Sequence, residues 1–330
     1  MRRFPLLLFF LFTLTASGAQ AQTPRSAADY FHRGVARFAK GDLDGAIADY
    51  DSAIALRLGV ESNGADHRDA RSARGDQKEV IVNRGLSLAI IPLTAAAYYD
   101  RGLVRQAKGD LEEAIVDFGM AIELAPRFAE SYFGRGTARY LKGEMNEAIA
   151  DLNRAIEIHP GFAMAYVNRG AARKVKGDLD GAFAECNRAI QIDPRLARAY
   201  NNRGIIQCAR GDFDRAIADY DAAIKLDRRL AEAYNNRGVA WQAKGELGRS
   251  LTDYSKAIAI DSRFAVARQN RGLVRLLQGQ DAEAEKDFAD YLASEKEMKL
   301  ALERMISEAK SLRAQRLAQP SGDYRAGGQE

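Results

Sequence analysis

Small and apolar residues fall at helical spacing through most of the chain, in paired stretches separated by a glycine, and the pairing recurs every 34 residues. From Ala129, AESYFGRGTARYLKGEMNEAIADLNRAIEIHPGF is followed by AMAYVNRGAARKVKGDLDGAFAECNRAIQIDPRL, then ARAYNNRGIIQCARGDFDRAIADYDAAIKLDRRL, then AEAYNNRGVAWQAKGELGRSLTDYSKAIAIDSRF. The same frame fits 27–60, 95–128 and 265–298, giving seven units that each predict two helices. The first helix has Tyr at position 4 in six units, with Arg268 in the seventh, and Gly at position 8 in all seven. Gly also holds position 15 throughout, where a helix ends and positive φ is needed. Asp or Glu follows in six units and is expected to cap the second helix or meet its dipole, Gln280 being the exception. Positions 20 and 27 are small, apart from Tyr291, and position 24 is aromatic, Leu or Cys. Pro126, Pro160 and Pro194 stand at position 32, where a helix must stop.

Residues 61–94 span one further period without an obvious repeat. In frame, Gly75-Asp76 falls on the turn, Ser87 on position 27 and Pro92 on position 32, which predicts a degenerate unit whose second helix survives over 77–91. The competing reading takes Asn83-Arg84-Gly85 as a first-helix motif out of frame and 61–77 as a loop. Beyond the last unit, Met298, Leu302, Met305, Ile306, Ala309 and Leu312 share one helical face, so 297–318 is expected to cap the array's open end. Residues 319–330 read as a loose tail.

The in-register small, aromatic and proline positions resemble the tetratricopeptide repeat family over about 27–298. The resemblance implies an all-α fold: an α-α superhelical solenoid of 34-residue helical hairpins with a concave groove lined by first helices. It implies protein or peptide partners and does not by itself supply one particular function.

The first 21 residues are of another kind. Arg2 and Arg3, an apolar run from Phe4 to Leu14 and Ala19-Gln20-Ala21 have the order of a secretory signal cleaved after Ala21, leaving 22–26 as a short lead. The apolar run is too short to span about 30 Å of hydrocarbon. The protein is therefore expected to be exported, periplasmic or secreted, with no membrane span after cleavage. Losing Arg2 and Arg3 takes the 49 basic side chains to 47 against 45 acidic ones, well interspersed, which argues against a nucleic-acid partner. Cys186 and Cys208 lie on neighbouring predicted helices, and spacing alone leaves a disulfide open.

Two features exceed what stacking requires. Position 7 is Arg in every unit (Arg33, Arg101, Arg135, Arg169, Arg203, Arg237, Arg271), and position 23 is acidic in every unit (Asp49, Asp117, Asp151, Glu185, Asp219, Asp253, Asp287). Their joint recurrence predicts a structural ladder of Arg–carboxylate pairs, within a unit or between neighbours. Position 6 is Asn168, Asn202, Asn236 and Asn270, with Asn201 and Asn235 at position 5 of two of these units. A side-chain amide both donates and accepts, so evenly spaced asparagines on the groove side could hold an extended peptide backbone. That arrangement is similar to the asparagine ladder of O-linked N-acetylglucosamine transferase; the plainer reading is a solvated surface.

The three histidines, His32, His67 and His159, are scattered, and no helix-spaced metal motif, phosphate loop, nucleophile elbow or dinucleotide fingerprint occurs. The chain is therefore read as non-enzymatic, without metal or cofactor. The reading is an envelope scaffold that binds an extended segment in its groove. The alternative is a self-associating structural component, with homo-oligomers as its signature.

Overall fold

A computed structural model describes residues 26–58, 79–84 and 87–318. The expected signal, the lead up to residue 25 and the tail lie outside the described residues, as does the turn expected at Gly75-Asp76. The elements are α1 (Ala27–Lys40), α2 (Leu43–Leu58), β1 (Glu79–Arg84), β2 (Ser87–Pro92), α3 (Leu93–Lys108), α4 (Leu111–Leu124), α5 (Ala129–Lys142), α6 (Met145–Ile158), α7 (Ala163–Val175), α8 (Leu179–Ile192), α9 (Ala197–Ala209), α10 (Phe213–Leu226), α11 (Ala231–Ala243), α12 (Leu247–Ile260), α13 (Ala265–Leu277), α14 (Asp281–Ser294) and α15 (Lys299–Ala318). The chain forms two compact units, 1–185 and 186–330, divided inside α8. In each unit successive hairpins stack in chain order, as in α4 on α5, α6 on α7, α10 on α11 and α12 on α13.

All seven turn glycines have φ between +79° and +97°. The reversal is fixed by paired backbone bonds: Gly41 N–H reaches Phe38 O at 3.0 Å while Asp42 N–H reaches Arg37 O at 3.0 Å. The acids after the turn divide in their behaviour. Asp42, Asp178 and Asp212 accept a backbone N–H three residues on, at 3.0, 2.8 and 3.3 Å. Asp110, Glu144 and Glu246 make no such side-chain bond, so their role is confined to charge at the helix start. Between the helices, Tyr50, Phe118, Leu152, Cys186, Tyr220 and Tyr254 at position 24 are buried against small residues at positions 20 and 27.

The segment before α3 departs from expectation. The described residues of 77–91 are strand and not helix: β1 and β2 pair antiparallel with Val80 opposite Ile91 and Val82 opposite Ala89. The in-frame markers were outweighed by composition, because Val80-Ile81-Val82 and Ile90-Ile91 are β-branched runs that favour strand. Nor does a repeat intervene between the first two hairpins, since α2 packs directly on α3. Lys108 Nζ meets Asp44 at 2.6 Å across a separation of 64 residues, where the matching Lys142–Glu112 bond, also 2.6 Å, spans 30. The difference is one period. The described residues of 61–92 thus form no helical hairpin; Asn83 and Arg84, which the competing reading gave to a first helix, stand in β1, and its loop over 61–77 lies outside the described residues.

At the far end α15 lies on α13. Leu302 and Ala309 are buried and Met305 and Ile306 half-buried, against Leu273, Leu276, Phe288 and Tyr291. Met298 and Leu312, expected on the same face, are instead 43% and 53% exposed, Met298 because it sits in the 3-10 turn 296–298 ahead of α15. Truncation after Met298 is expected to bare this apolar end. Hydrogen exchange should then show α13 and α14 losing protection ahead of α9 and α10; equal loss would mean that α15 caps nothing.

Candidate functional site

The charged positions come together first. Arg33 Nη2 lies 2.5 Å from Asp49, Arg101 2.6 Å from Asp117, Arg135 2.7 Å from Asp151 and Arg169 2.7 Å from Glu185. In the second unit Arg203–Asp219, Arg237–Asp253 and Arg271–Asp287 close at 2.6, 2.7 and 2.6 Å. Every pair joins the first and second helices of one hairpin. In all but Arg169–Glu185, Nε adds a parallel bond, giving the two-pronged geometry that only a guanidinium supplies. In the six units with Tyr at position 4 the guanidinium also stands over that ring, as Arg101 over Tyr98 at 5.1 Å and Arg237 over Tyr234 at 5.6 Å.

The same arginines reach position 25 of the hairpin before: Arg169 Nη1 donates to Asn153 Oδ1 at 2.7 Å, Arg203 to Asn187 at 2.7 Å and Arg271 to Ser255 at 3.2 Å. Arg101 bonds Asp51 and Arg237 bonds Asp221. A second arginine at position 11 joins the position-23 acid, with Arg105–Asp117 at 2.8 Å, Arg139–Asp151 at 2.7 Å and Arg275–Asp287 at 2.7 Å. Neither feature was expected from sequence. The signal for each was present as recurrence, interrupted by Gly119 at position 25 and by Gln207 and Trp241 at position 11.

Arg101 is the deepest member. Burial works against its charge, but bonds and attraction from Asp117 and Asp51 outweigh it and hold the guanidinium above its ordinary pKa. For Arg237 the Asp253 bond is the main cause of a like rise. These arginines are committed to carboxylates, which leaves an incoming anion little to bind.

The asparagines form a second network, on the first helices. In the second unit Asn270 Nδ2 donates to Asn235 Oδ1 at 3.0 Å and Asn236 Nδ2 to Asn201 Oδ1 at 3.0 Å. Within one helix Asn235 donates to Asn236 at 3.3 Å and Asn201 to Asn202 at 3.4 Å. The result is one relay running from α13 through α11 to α9. Asn201 and Asn235 are buried, being one position round the helix from the open face, so they are links between helices and are out of a ligand's reach. Asn202, Asn236 and Asn270 are half-buried and share that face with Val239 and Val266, exposed to 41% and 47%. In the first unit Asn168 instead donates to Thr137 Oγ1 at 2.9 Å.

Cys186 and Cys208 are both free thiols. Tyr220 donates its hydroxyl to Cys208 Sγ at 3.6 Å, and burial pushes the Cys208 thiol up, against a smaller opposing effect of that bond. Among the described residues no group of three or more His, Cys, Asp or Glu could hold a metal ion, and no helix is long and apolar enough to cross a membrane.

Family models described as tetratricopeptide repeat match residues 95–128, 129–162, 147–197 and 185–218, and one described as TPR repeat matches 206–245. A search of the curated proteins finds no match. Among solved structures, a tetratricopeptide repeat protein from Parabacteroides merdae is similar at 18% identity, covering 88% of this chain and all of that one, with a TM-score of 0.61. The Cut9–Hcn1 hetero-tetramer of APC/C is similar at 17% identity and TM-score 0.61, over 65% of this chain; the chain spans only 42% of its length. PilF of Pseudomonas aeruginosa is similar at 16% identity and TM-score 0.53, over 66% of this chain and 97% of that one. At these identities the likeness is one of fold.

Proposed function

The chain belongs to the tetratricopeptide repeat family, whose members mediate protein–protein interaction, and on that premise we propose that it is a non-enzymatic scaffold holding an extended partner segment along its first-helix face. The supporting observation is the row Asn202, Asn236 and Asn270. Asn236 spends one N–H and one lone pair on its neighbours, and an amide has two of each. The second N–H and lone pair suit a backbone peptide unit, whatever side chain it carries. Val239 and Val266 beside the row offer apolar contact to alternate side chains of such a segment. Export to the periplasm or beyond belongs to the same reading and rests on Arg2, Arg3, Phe4–Leu14 and Ala19-Gln20-Ala21.

The test is a crosslinked pull-down from envelope extract with residues 22–330, beside a Val239→Glu/Val266→Glu variant that leaves the amide relay intact. The variant should keep its helical circular dichroism and lose at least about tenfold in recovery of the principal partner, as expected when charge is forced into an apolar contact. Equal recovery by both proteins would remove the first-helix face of the second unit as the binding surface. Sedimentation that shifts with concentration and no partner present would favour the self-associating alternative.

A further inference from the structure

Positions 2, 6, 9 and 13 of a first helix recur at the spacing of one helical face. In the second unit this face looks outward on α9, α11 and α13, with Ala209, Glu232, Val239, Ala243 and Val266 exposed. Leu273, under α15, is the one buried residue among the twelve. Three of the twelve are Asn202, Asn236 and Asn270, and seven are aliphatic. The other two are Arg198 and Glu232, the face's only charges. Both stand at position 2, one turn before an asparagine, and position 2 of the third helix is Val266. Across three neighbouring helices the row therefore runs cation, anion, apolar group.

Among the described residues these two charges have no internal use. Arg198 is half-buried, yet its side chain makes no hydrogen bond or ion pair; Glu232 is exposed and equally uncommitted. Arg228 and Arg229, in the loop ahead of α11, do not pair with Glu232, and neither does Arg198 on the adjacent helix. The contrast is with positions 7 and 23 of the same hairpins, where every charge is held by its opposite.

Packed helices lie about 8–10 Å apart. A polyproline II chain has three residues per turn and rises about 3.1 Å per residue, so its side chains i, i+3 and i+6 repeat on one side at about that interval. Its backbone N–H and C=O groups are free of internal hydrogen bonds, which suits a row of amides. We infer that the position-2 row selects an extended segment in this conformation, with an acidic side chain over α9, a basic one over α11 and an apolar one over α13, three residues apart. The inference rests on the reading of the asparagine row as a grip on a peptide backbone, and adds which side chains the bound segment carries.

A displayed library of random decapeptides, panned on the full chain, tests it. The parent should enrich Asp or Glu, then Lys or Arg, then an apolar residue at three-residue spacing, read in either chain direction. Arg198→Glu/Glu232→Arg keeps one charge of each sign on the face and should enrich the inverted charge order, with the apolar residue in the same place. A peptide selected on the parent should bind this swapped protein at least about tenfold more weakly, since both its charges then meet their like. Exchanging the peptide's own two charges should bring binding back to within about threefold. Should the swap disturb the helical circular dichroism, Arg198→Ala and Glu232→Ala made singly replace it, and each should erase one charged preference while keeping the other. Peptides that bind parent and swapped protein alike, yet are lost with Val239→Glu/Val266→Glu, overturn the charge order and leave the binding face standing. Peptides indifferent to every one of these variants, or no enrichment over bare support, overturn both.

Discussion

Asp117→Ala will destabilise the protein by about 3–5 kcal/mol, the cost of leaving a buried charge without its partner. Asp117 is fully buried and receives Arg101 Nε at 2.9 Å, Arg101 Nη2 at 2.6 Å and Arg105 Nη1 at 2.8 Å. Its loss strands the Arg101 guanidinium, whose side chain is 3% exposed, with only Asp51 at its outer edge. The contrast is Arg154→Ala, which removes a surface pair to Glu157 with both side chains more than half exposed and should cost under about 1 kcal/mol. Chemical denaturation of the two variants beside the parent gives the comparison. Costs for both within 1 kcal/mol of each other would mean that the ladder is surface decoration.

Tyr254→Ala should cost about as much, 3–5 kcal/mol, for a different reason. Its ring is wholly buried between α11 and α12, and a Cβ built on Gly238 would come within 2.7 Å of it. The two residues therefore fit as a pair, one giving up its side chain so that the other can lie flat on the backbone. Removing the ring leaves a cavity whose floor is bare main chain, which cannot collapse to fill it. Tyr254→Phe keeps the ring and loses only the hydroxyl's bond to Gln242 Oε1 at 2.8 Å, a change of about 0.5–1.5 kcal/mol. Phe118 and Phe288 occupy the same repeat position, so the array already accommodates that change. Calorimetric melts of the three proteins decide it. A Tyr254→Phe loss equal to that of Tyr254→Ala would place the stabilisation in the hydroxyl rather than the ring.

The repeat was legible because each hairpin poses the same packing problem and solves it with the same residues, so the turn glycines and the small and aromatic positions announce both helices. The Arg–acid ladder was legible for a related reason: a buried charge needs a partner, and positions 7 and 23 never vary in sign. The second contacts were not. Asp51, Asn153, Asn187, Asp221 and Ser255 are chemically unlike one another and agree only as acceptors, which becomes visible once Arg169, Arg203 and Arg271 are seen reaching for them. Asn201 and Asn235 looked equivalent to Asn202 and Asn236, yet a step of one residue turns a side chain by about 100° on a helix and separates an inward link from an outward group. Residues 61–94 misled because their length equals one period, so markers such as Gly75 and Pro92 fell in register while the β-branched runs set the local structure.

The position-7 arginine has a consequence for how the array comes apart. A stack of hairpins behaves as a one-dimensional lattice, its free energy divided between what each hairpin has alone and what each boundary adds. One guanidinium that bonds its own hairpin at position 23 and the preceding one at position 25 puts both quantities in a single side chain, so a hairpin cannot loosen internally without loosening its seam. Folding and stacking are thereby made into one event along each unit. The exception is the seam between α4 and α5, where Gly119 offers Arg135 no side chain; there the link falls to the Lys142–Glu112 pair and to packing, so the hairpin's inner pairing and its seam are held by different side chains.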